Sequence, residues 1–185
     1  MLQEIVEDTK VGMEKSLHSL DAAFKRIRTG RASPALLDDI RVDYYDTLTP
    51  LTQLANISVE DAKTIAVIPW EKAVVQDIEK AIMESELGLN PATSGDTIRV
   101  ILPDLTEETR KEFIKKARSE AENAKVSLRN VRREGNSQLK EFLKEKEISA
   151  DEEKGAEQEL QQLTDRHIKV IDDIVAAKEA EVLEV

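Results

Sequence analysis

Arg129-Asn130-Val131-Arg132-Arg133 places three guanidinium groups within five residues. Each guanidinium presents a planar fork of donors that fits a phosphate bidentately, so a cluster of this kind suits a folded polynucleotide backbone. The cluster is the densest part of a longer basic row. With residues advancing about 100° each along a helix, Lys111, Lys115, Arg118, Lys125, Arg129, Arg132, Arg133 and Lys140 fall in one sector beside the apolar seam. Glu112, Glu134, Glu141 and Glu145 lie mostly opposite that seam. A helix stabilised only by its own i,i+4 pairs would mix the signs more evenly. The competing reading is that these cations pair with an acidic final helix or with the middle of the chain, as charge runs usually do. Periodicity alone leans toward pairing, and both readings stay open at this point.

Other chemistries find no residues to carry them. The chain has no cysteine, which removes thiol catalysis, thiolate metal sites and disulfides. His18 and His167 are its only histidines. His167 falls on an apolar seam, where a buried, hydrogen-bonded imidazole is expected, and no His-x-x-x-His spacing exists for a metal. There is no Gly-x-x-x-x-Gly-Lys phosphate loop. Ser94-Gly95-Asp96 reads as a turn before a strand, not a nucleophile elbow. Asp38-Asp39 and Asp172-Asp173 are sequence neighbours whose side chains point apart, unlike an acid–base dyad. Trp70, after Pro69, reads as a packing anchor. The expectation is a protein that is not an enzyme and has no catalytic residue, cofactor or metal.

The composition supports a binding role. The 185 residues carry 27 basic and 38 acidic side chains, for a net charge of −11, which argues against unspecific adhesion to nucleic acid. The excess is uneven: residues 106–147 hold twelve basic and nine acidic side chains, whereas 148–185 hold four and eleven. Only the segment with the arginine cluster is net positive. Aromatics make up 3%, too few for interleaved base stacking and typical of thin helical cores. No run approaches the ~18 apolar residues of a membrane span, and MLQEIVEDTK lacks the basic start of a signal peptide, so a cytoplasmic location is expected.

Three segments have a heptad-like period. The first, to about residue 29, carries Met13, Leu17, Leu20, Phe24 and Ile27, with Gly30 placed as a helix cap and Pro34 preventing resumption. The second opens at Thr106 and runs Ile114, Ala117, Ala121, Ala124, Leu128, Val131, Gly135, Gln138 or Leu139, Phe142. The third opens at Ser149-Ala150-Asp151-Glu152, a capping box, and runs Ala156, Leu160, Leu163, His167, Val170, Ile174, Ala177. Between the first and second lies an α+β stretch of about four strands and one helix. Its strands are read in Leu36 to Tyr45, Ile57-Ser58-Val59, Thr64 to Ile68 and Ile98 to Pro103, with the helix over Glu71 to Leu87. Asp46-Thr47 and Thr49-Pro50 read as breaks. The expected fold is α+β: an elongated antiparallel three-helix bundle from residues 1–29 and 106–185, with a small β/α/β domain, 31–104, inserted on two chain crossings that form a two-strand hinge.

Several strings resemble the ribosome recycling factor family. They are Arg28-Thr29-Gly30-Arg31-Ala32-Ser33-Pro34, Thr49-Pro50-Leu51, Glu79-Lys80-Ala81-Ile82, Leu87-Gly88-Leu89-Asn90-Pro91, Leu105-Thr106-Glu107-Glu108 and Arg129 to Arg133. The resemblance implies a bundle with a hinged smaller domain, in outline like transfer RNA. It implies a factor that binds the post-termination ribosome across the vacated tRNA sites. With elongation factor G and GTP, such a factor splits the ribosome into subunits and releases mRNA and tRNA. Carried over by position, Arg132 is the central contact to large-subunit RNA, with Arg129 and Arg133 beside it and Arg28, Arg31 and Arg110 as further contacts. Gly30, Pro34, Pro103 and Asp104 match the hinge. Position 46 is Asp where the family usually has Gly. Gly135 stands where Ala is usual, at a helix cost of about 0.5–1 kcal/mol, so a looser turn is expected there. The rival expectation is a coiled-coil structural or chaperone-type protein, dimeric through the same heptads rather than monomeric.

Overall fold

A computed structural model describes residues 1–27 and 31–184. Its helices are α1 (Leu2–Lys25), α2 (Val75–Glu84), α3 (Glu107–Lys144) and α4 (Ala150–Leu183). Its strands are β1 (Arg41–Tyr44), β2 (Thr47–Pro50), β3 (Ala55–Asp61), β4 (Thr64–Pro69), β5 (Asn90–Ser94) and β6 (Thr97–Ile101). The chain divides into two compact units, 1–24 with 114–181 and 25–113 with 182–185.

The first unit is helical. α1 buries Ile5, Val6, Thr9, Met13, Leu20 and Phe24, and α3 buries Ala117, Ala121, Ala124, Leu128, Gly135 and Leu139. Their registers run in opposite directions. Ser16 Oγ lies 2.7 Å from Ser127 Oγ. A Cβ built at Gly12 would stand 2.9 Å from Val131 Cγ1, and one at Gly135 would stand 2.7 Å from Thr9 Oγ1. α4 is antiparallel to α3: Lys125 meets Asp172, and the Gly135 Cβ position lies 2.9 Å from Leu160 Cδ1. Three helices therefore converge on Gly135. The turn expected to be loose is instead closely packed, with no room for a Cβ.

Sequence-local signals set the helix ends. Thr106 Oγ1 accepts from the Thr109 N–H at 3.1 Å. At the start of α4, Ser149 Oγ accepts from the Glu152 N–H at 3.1 Å, and Glu152 Oε1 accepts from the Ser149 N–H at 3.3 Å. This reciprocal capping box satisfies two donors that would otherwise lack partners. The α4 seam drifts, however: Ile171 is buried, whereas Val170 and Ala177 are exposed. A straight helix gains on a strict seven-residue repeat, so a seam entered at Leu163 passes through Thr164 to Ile171. The expected cap at Gly30 lies outside the described residues.

Among its described residues the second unit has six strands in two antiparallel sheets, where about four strands were expected. β1 and β2 form a hairpin, and the other sheet has the order β3-β4-β6-β5. Leu36 and Leu37, expected in the first strand, lie in a 3-10 turn over Pro34–Leu37, and the strand begins only at Arg41. Thr49-Pro50 ends β2 instead of breaking structure, and Pro91 sits in β5, an edge strand of its sheet. Proline is tolerated at both places because no ladder N–H is needed from it. The helix is shorter than expected, with a 3-10 turn over Lys72–Val74 leading into α2. Ile78 and Ile82, one turn apart on α2, join Ile65, Val67, Ile98 and Val100 in a shared apolar core. The β1–β2 turn places Tyr45 and Asp46 at φ 48° and 61°. Both central residues are left-handed, as a primed two-residue hairpin requires, and Asp accepts that conformation better than most residues. Trp70 is 67% exposed and is not a packing anchor. No described helix is long and apolar enough to cross a membrane.

Candidate nucleic-acid interface

The arginine cluster sits on α3 in the first unit, between the buried positions Leu128 and Gly135. That placement fixes where its side chains emerge. Arg132 leaves the helix on the flank nearest α4 and is half-buried. Arg129 is half-buried further out, and Arg133 is exposed.

The basic row is partly consumed by pairing, as one of the two sequence readings proposed. Arg118 Nε lies 2.5 Å from Glu179 Oε1, and Lys125 Nζ lies 2.7 Å from Asp172 Oδ1. The Glu179 contact, first by its hydrogen bond and then by its charge, raises the Arg118 pKa above its ordinary value. Arg129 Nη1 reaches Glu122 Oε1 on its own helix at 3.5 Å, and Lys111 pairs with Glu107 at 3.2 Å. Among the described residues, Lys115, Arg133 and Lys140 make no ion pair. Among them, too, Arg132 is unpaired with any carboxylate. Its Nη1 donates to Gln161 Oε1 at 2.7 Å, and its Nε is buried without a protein partner, as is Asn136 Oδ1 one turn along. Among the described residues of the row, Arg132 and Arg133 are therefore the guanidinium groups that no carboxylate meets, alongside the ammonium groups of Lys115 and Lys140.

Arg31 and Arg110 belong to the second unit, and Arg28 lies outside the described residues. Arg31 Nη2 donates to Glu184 Oε2 at 3.0 Å. Arg110 is half-buried at the start of α3, and its Nε has no protein partner. The sequence does not single out Gln161, because counting charges passes over an amide, and Asp165 gains its part only through that amide. A signal existed, since Gln161 directly follows seam residue Leu160 on the flank that must face α3.

Of the expected hinge residues, Gly30 lies outside the described residues. Pro34 opens the 3-10 turn, and Pro103 and Asp104 are exposed. Both chain crossings are bonded to the β3–β4 turn. The Ala32 N–H donates to the Ala62 carbonyl at 2.7 Å, and the Leu102 N–H donates to the Lys63 carbonyl at 2.8 Å. The Lys63 side chain also binds the Asp104 carboxylate, and that contact lowers the Asp104 pKa below the usual carboxylate range. The Asp61 pKa is lowered too, chiefly because Oδ1 accepts the Lys63 N–H at 2.9 Å. His167 Nδ1 lies 2.7 Å from the Leu163 carbonyl, a local contact within α4. Among the described residues, no three metal-ligating side chains gather.

Comparison with known proteins gives one result throughout. The family model described as ribosome recycling factor matches residues 20–183. The ribosome-recycling factor of Marinomonas sp. (strain MWYL1) is 50% identical over 185 residues, covering 100% of both chains. That of Hahella chejuensis is 53% identical over 185 residues, again with 100% of both covered. A solution structure of the ribosome recycling factor is similar with a TM-score of 0.76 at 41% identity, covering 100% of this chain and 98% of the other. A second similar structure has a TM-score of 0.68 and 42% identity over 99% of each chain. It comes from a study of the T. thermophilus ribosome recycling factor and E. coli elongation factor G bound to the E. coli post-termination complex.

Proposed function

This chain belongs to the ribosome recycling factor family, one of translation factors with no enzymatic activity of their own, and from that premise we propose how it works. It binds the post-termination ribosome at the vacated tRNA sites as a cytoplasmic monomer. Together with elongation factor G and GTP, it splits the particle into subunits and frees mRNA and tRNA. The similar T. thermophilus protein placed with elongation factor G on such a complex supports this reading.

The observation that carries it is the state of the arginine row. Arg118 and Lys125 are neutralised by α4, whereas Arg132 and Arg133 keep their charge and sit within one turn. Arg132 is the central contact to large-subunit RNA, with Arg129 and Arg133 flanking it and Arg28, Arg31 and Arg110 adding further contacts. Residues 1–29 and 106–185 form the anchored domain and 31–104 the moving one, with the pivot at Gly30, Pro34, Pro103 and Asp104. The chain holds no phosphate loop, so the force comes from the partner's nucleotide hydrolysis. The helical seams are met inside one chain, α1 on α3 and α3 on α4. These contacts favour a single chain over the dimeric coiled-coil alternative, and the solution mass should be that of a 20.8 kDa monomer.

The test is co-sedimentation with isolated large ribosomal subunits across a salt series. Arg132→Ala should weaken binding by about tenfold or more, the scale expected when a charge-assisted phosphate contact is lost. Its melting temperature should stay close to that of the parent. Equal affinity of mutant and parent would reject Arg132 as the central contact.

A further inference from the structure

The cations of α3 that face α4 are held by two different kinds of acceptor. Arg118 and Lys125 each meet a carboxylate, Glu179 at 2.5 Å and Asp172 at 2.7 Å. Further along the same antiparallel register, Arg132 Nη1 meets the Oε1 of Gln161 at 2.7 Å. Gln161 Nε2 in turn donates to Asp165 Oδ1 at 2.9 Å, one turn further along α4. These two bonds fix the amide's orientation. Flipped, its NH2 would face the guanidinium and its oxygen would face the carboxylate, so both contacts would become repulsive. Asp165 thus sets the amide, and the amide sets the guanidinium.

A neutral acceptor and a charged one differ in their effect on an incoming phosphate. A carboxylate at the same 2.7 Å would cancel the guanidinium's charge and compete with the phosphate for its donors. An amide oxygen gives direction and leaves the positive charge uncancelled. It also reduces the rotamer freedom that a long side chain must give up on binding. Resting on the reading of Arg132 as a phosphate contact, we infer that Gln161 is a positioning residue. It holds the Arg132 guanidinium ready for large-subunit RNA without neutralising it, and Asp165 holds Gln161 in turn.

Four variants of the full chain test this: Gln161→Ala, Gln161→Glu, Arg132→Ala and the double Gln161→Ala/Arg132→Ala. Affinity for isolated large subunits is measured across a salt series, with thermal melting of each variant alongside. Gln161→Ala should weaken binding about fivefold, the worth of one orienting hydrogen bond, and should add nothing in the Arg132→Ala background. Gln161→Glu should weaken binding by roughly five- to tenfold and flatten the salt dependence by about one released ion. Its melting temperature should stay close to the parent's, because the new ion pair with Arg132 offsets the lost Asp165 bond and the repulsion between the introduced carboxylate and Asp165. A purely structural role predicts the reverse for Gln161→Glu, since a stronger tether would keep or improve binding, and that result would overturn the inference. So would a Gln161→Ala loss that persists without Arg132, or losses that track falling melting temperatures in both single variants. If Arg132→Ala alone binds as the parent does, the underlying RNA-contact reading fails instead.

Discussion

Replacing Gly135 with Ala sets two effects of opposite sign against each other. In an exposed helix interior, Ala is favoured over Gly by about 0.8–1.0 kcal/mol, so on helix propensity alone the variant is more stable. The packing says otherwise. The new Cβ would stand 2.7 Å from Thr9 Oγ1 and 2.9 Å from Leu160 Cδ1, both inside ordinary van der Waals contact. Thr9 cannot swing aside freely, because its Oγ1 donates to the Ile5 carbonyl at 2.8 Å and the residue is 4% exposed. Leu160 is fully buried. Overpacking of this kind costs about 1–3 kcal/mol, and a lost buried hydrogen bond adds about 1 kcal/mol. The packing term wins, and Gly135→Ala should be destabilised by a net of about 1–3 kcal/mol. Urea unfolding followed by the helical circular dichroism signal measures this. In the background of Thr9→Ala, which removes the nearer obstacle, the same substitution should cost less by about 1 kcal/mol or more. A Gly135→Ala protein more stable than the parent by the full propensity gain, or a double-mutant cycle with no coupling, would refute the argument.

Three further outcomes follow from other parts of the molecule. Lys63→Ala should speed amide hydrogen exchange at Ala32 and Leu102, whose N–H groups bond to the turn that Lys63 braces; unchanged exchange would remove its bracing role. The Asp104 pKa is lowered in the folded protein, so the stability it contributes is present above its unfolded value near about 3.9. That stability is lost as pH falls through the lower folded value, so acid should reproduce the Lys63→Ala exchange pattern only below about pH 4. Trp70, at 67% exposure, should fluoresce like tryptophan in water and be readily quenched by iodide, whereas a blue-shifted, protected emission would contradict its placement.

What was legible in the sequence was whatever repeats or sits locally. Helix caps at Thr106 and Ser149, and the seams through Met13, Leu128 and Leu160, need only nearby residues to identify. The small strands were harder because their stability comes from partners far along the chain. Asn90–Ser94 carries a proline and exposed polar groups, and it becomes a strand only because β6 lies beside it. Thr47–Pro50 is likewise completed by pairing with Arg41–Tyr44. Trp70 misled because an aromatic ring next to proline usually packs, and nothing nearby reveals which face it takes. The arginine cluster was visible as a pattern, but its division into neutralised and available cations was not. That division depends on which α4 residues meet it across the register, and a shift of one residue would change every partner.

Both ends of the second unit's long excursion are secured to adjacent carbonyls, Ala62 and Lys63, by Ala32 and Leu102. This has a consequence for folding order. A flexible detour of roughly 70 residues between α1 and α3 carries a closure entropy about 2 kcal/mol greater than that of a connection of a few residues. Once those two amides are bonded, the detour is already closed. To the helices it then behaves as a short linker, so a sheet formed before the helices pair would lower the entropic barrier to joining α1 and α3.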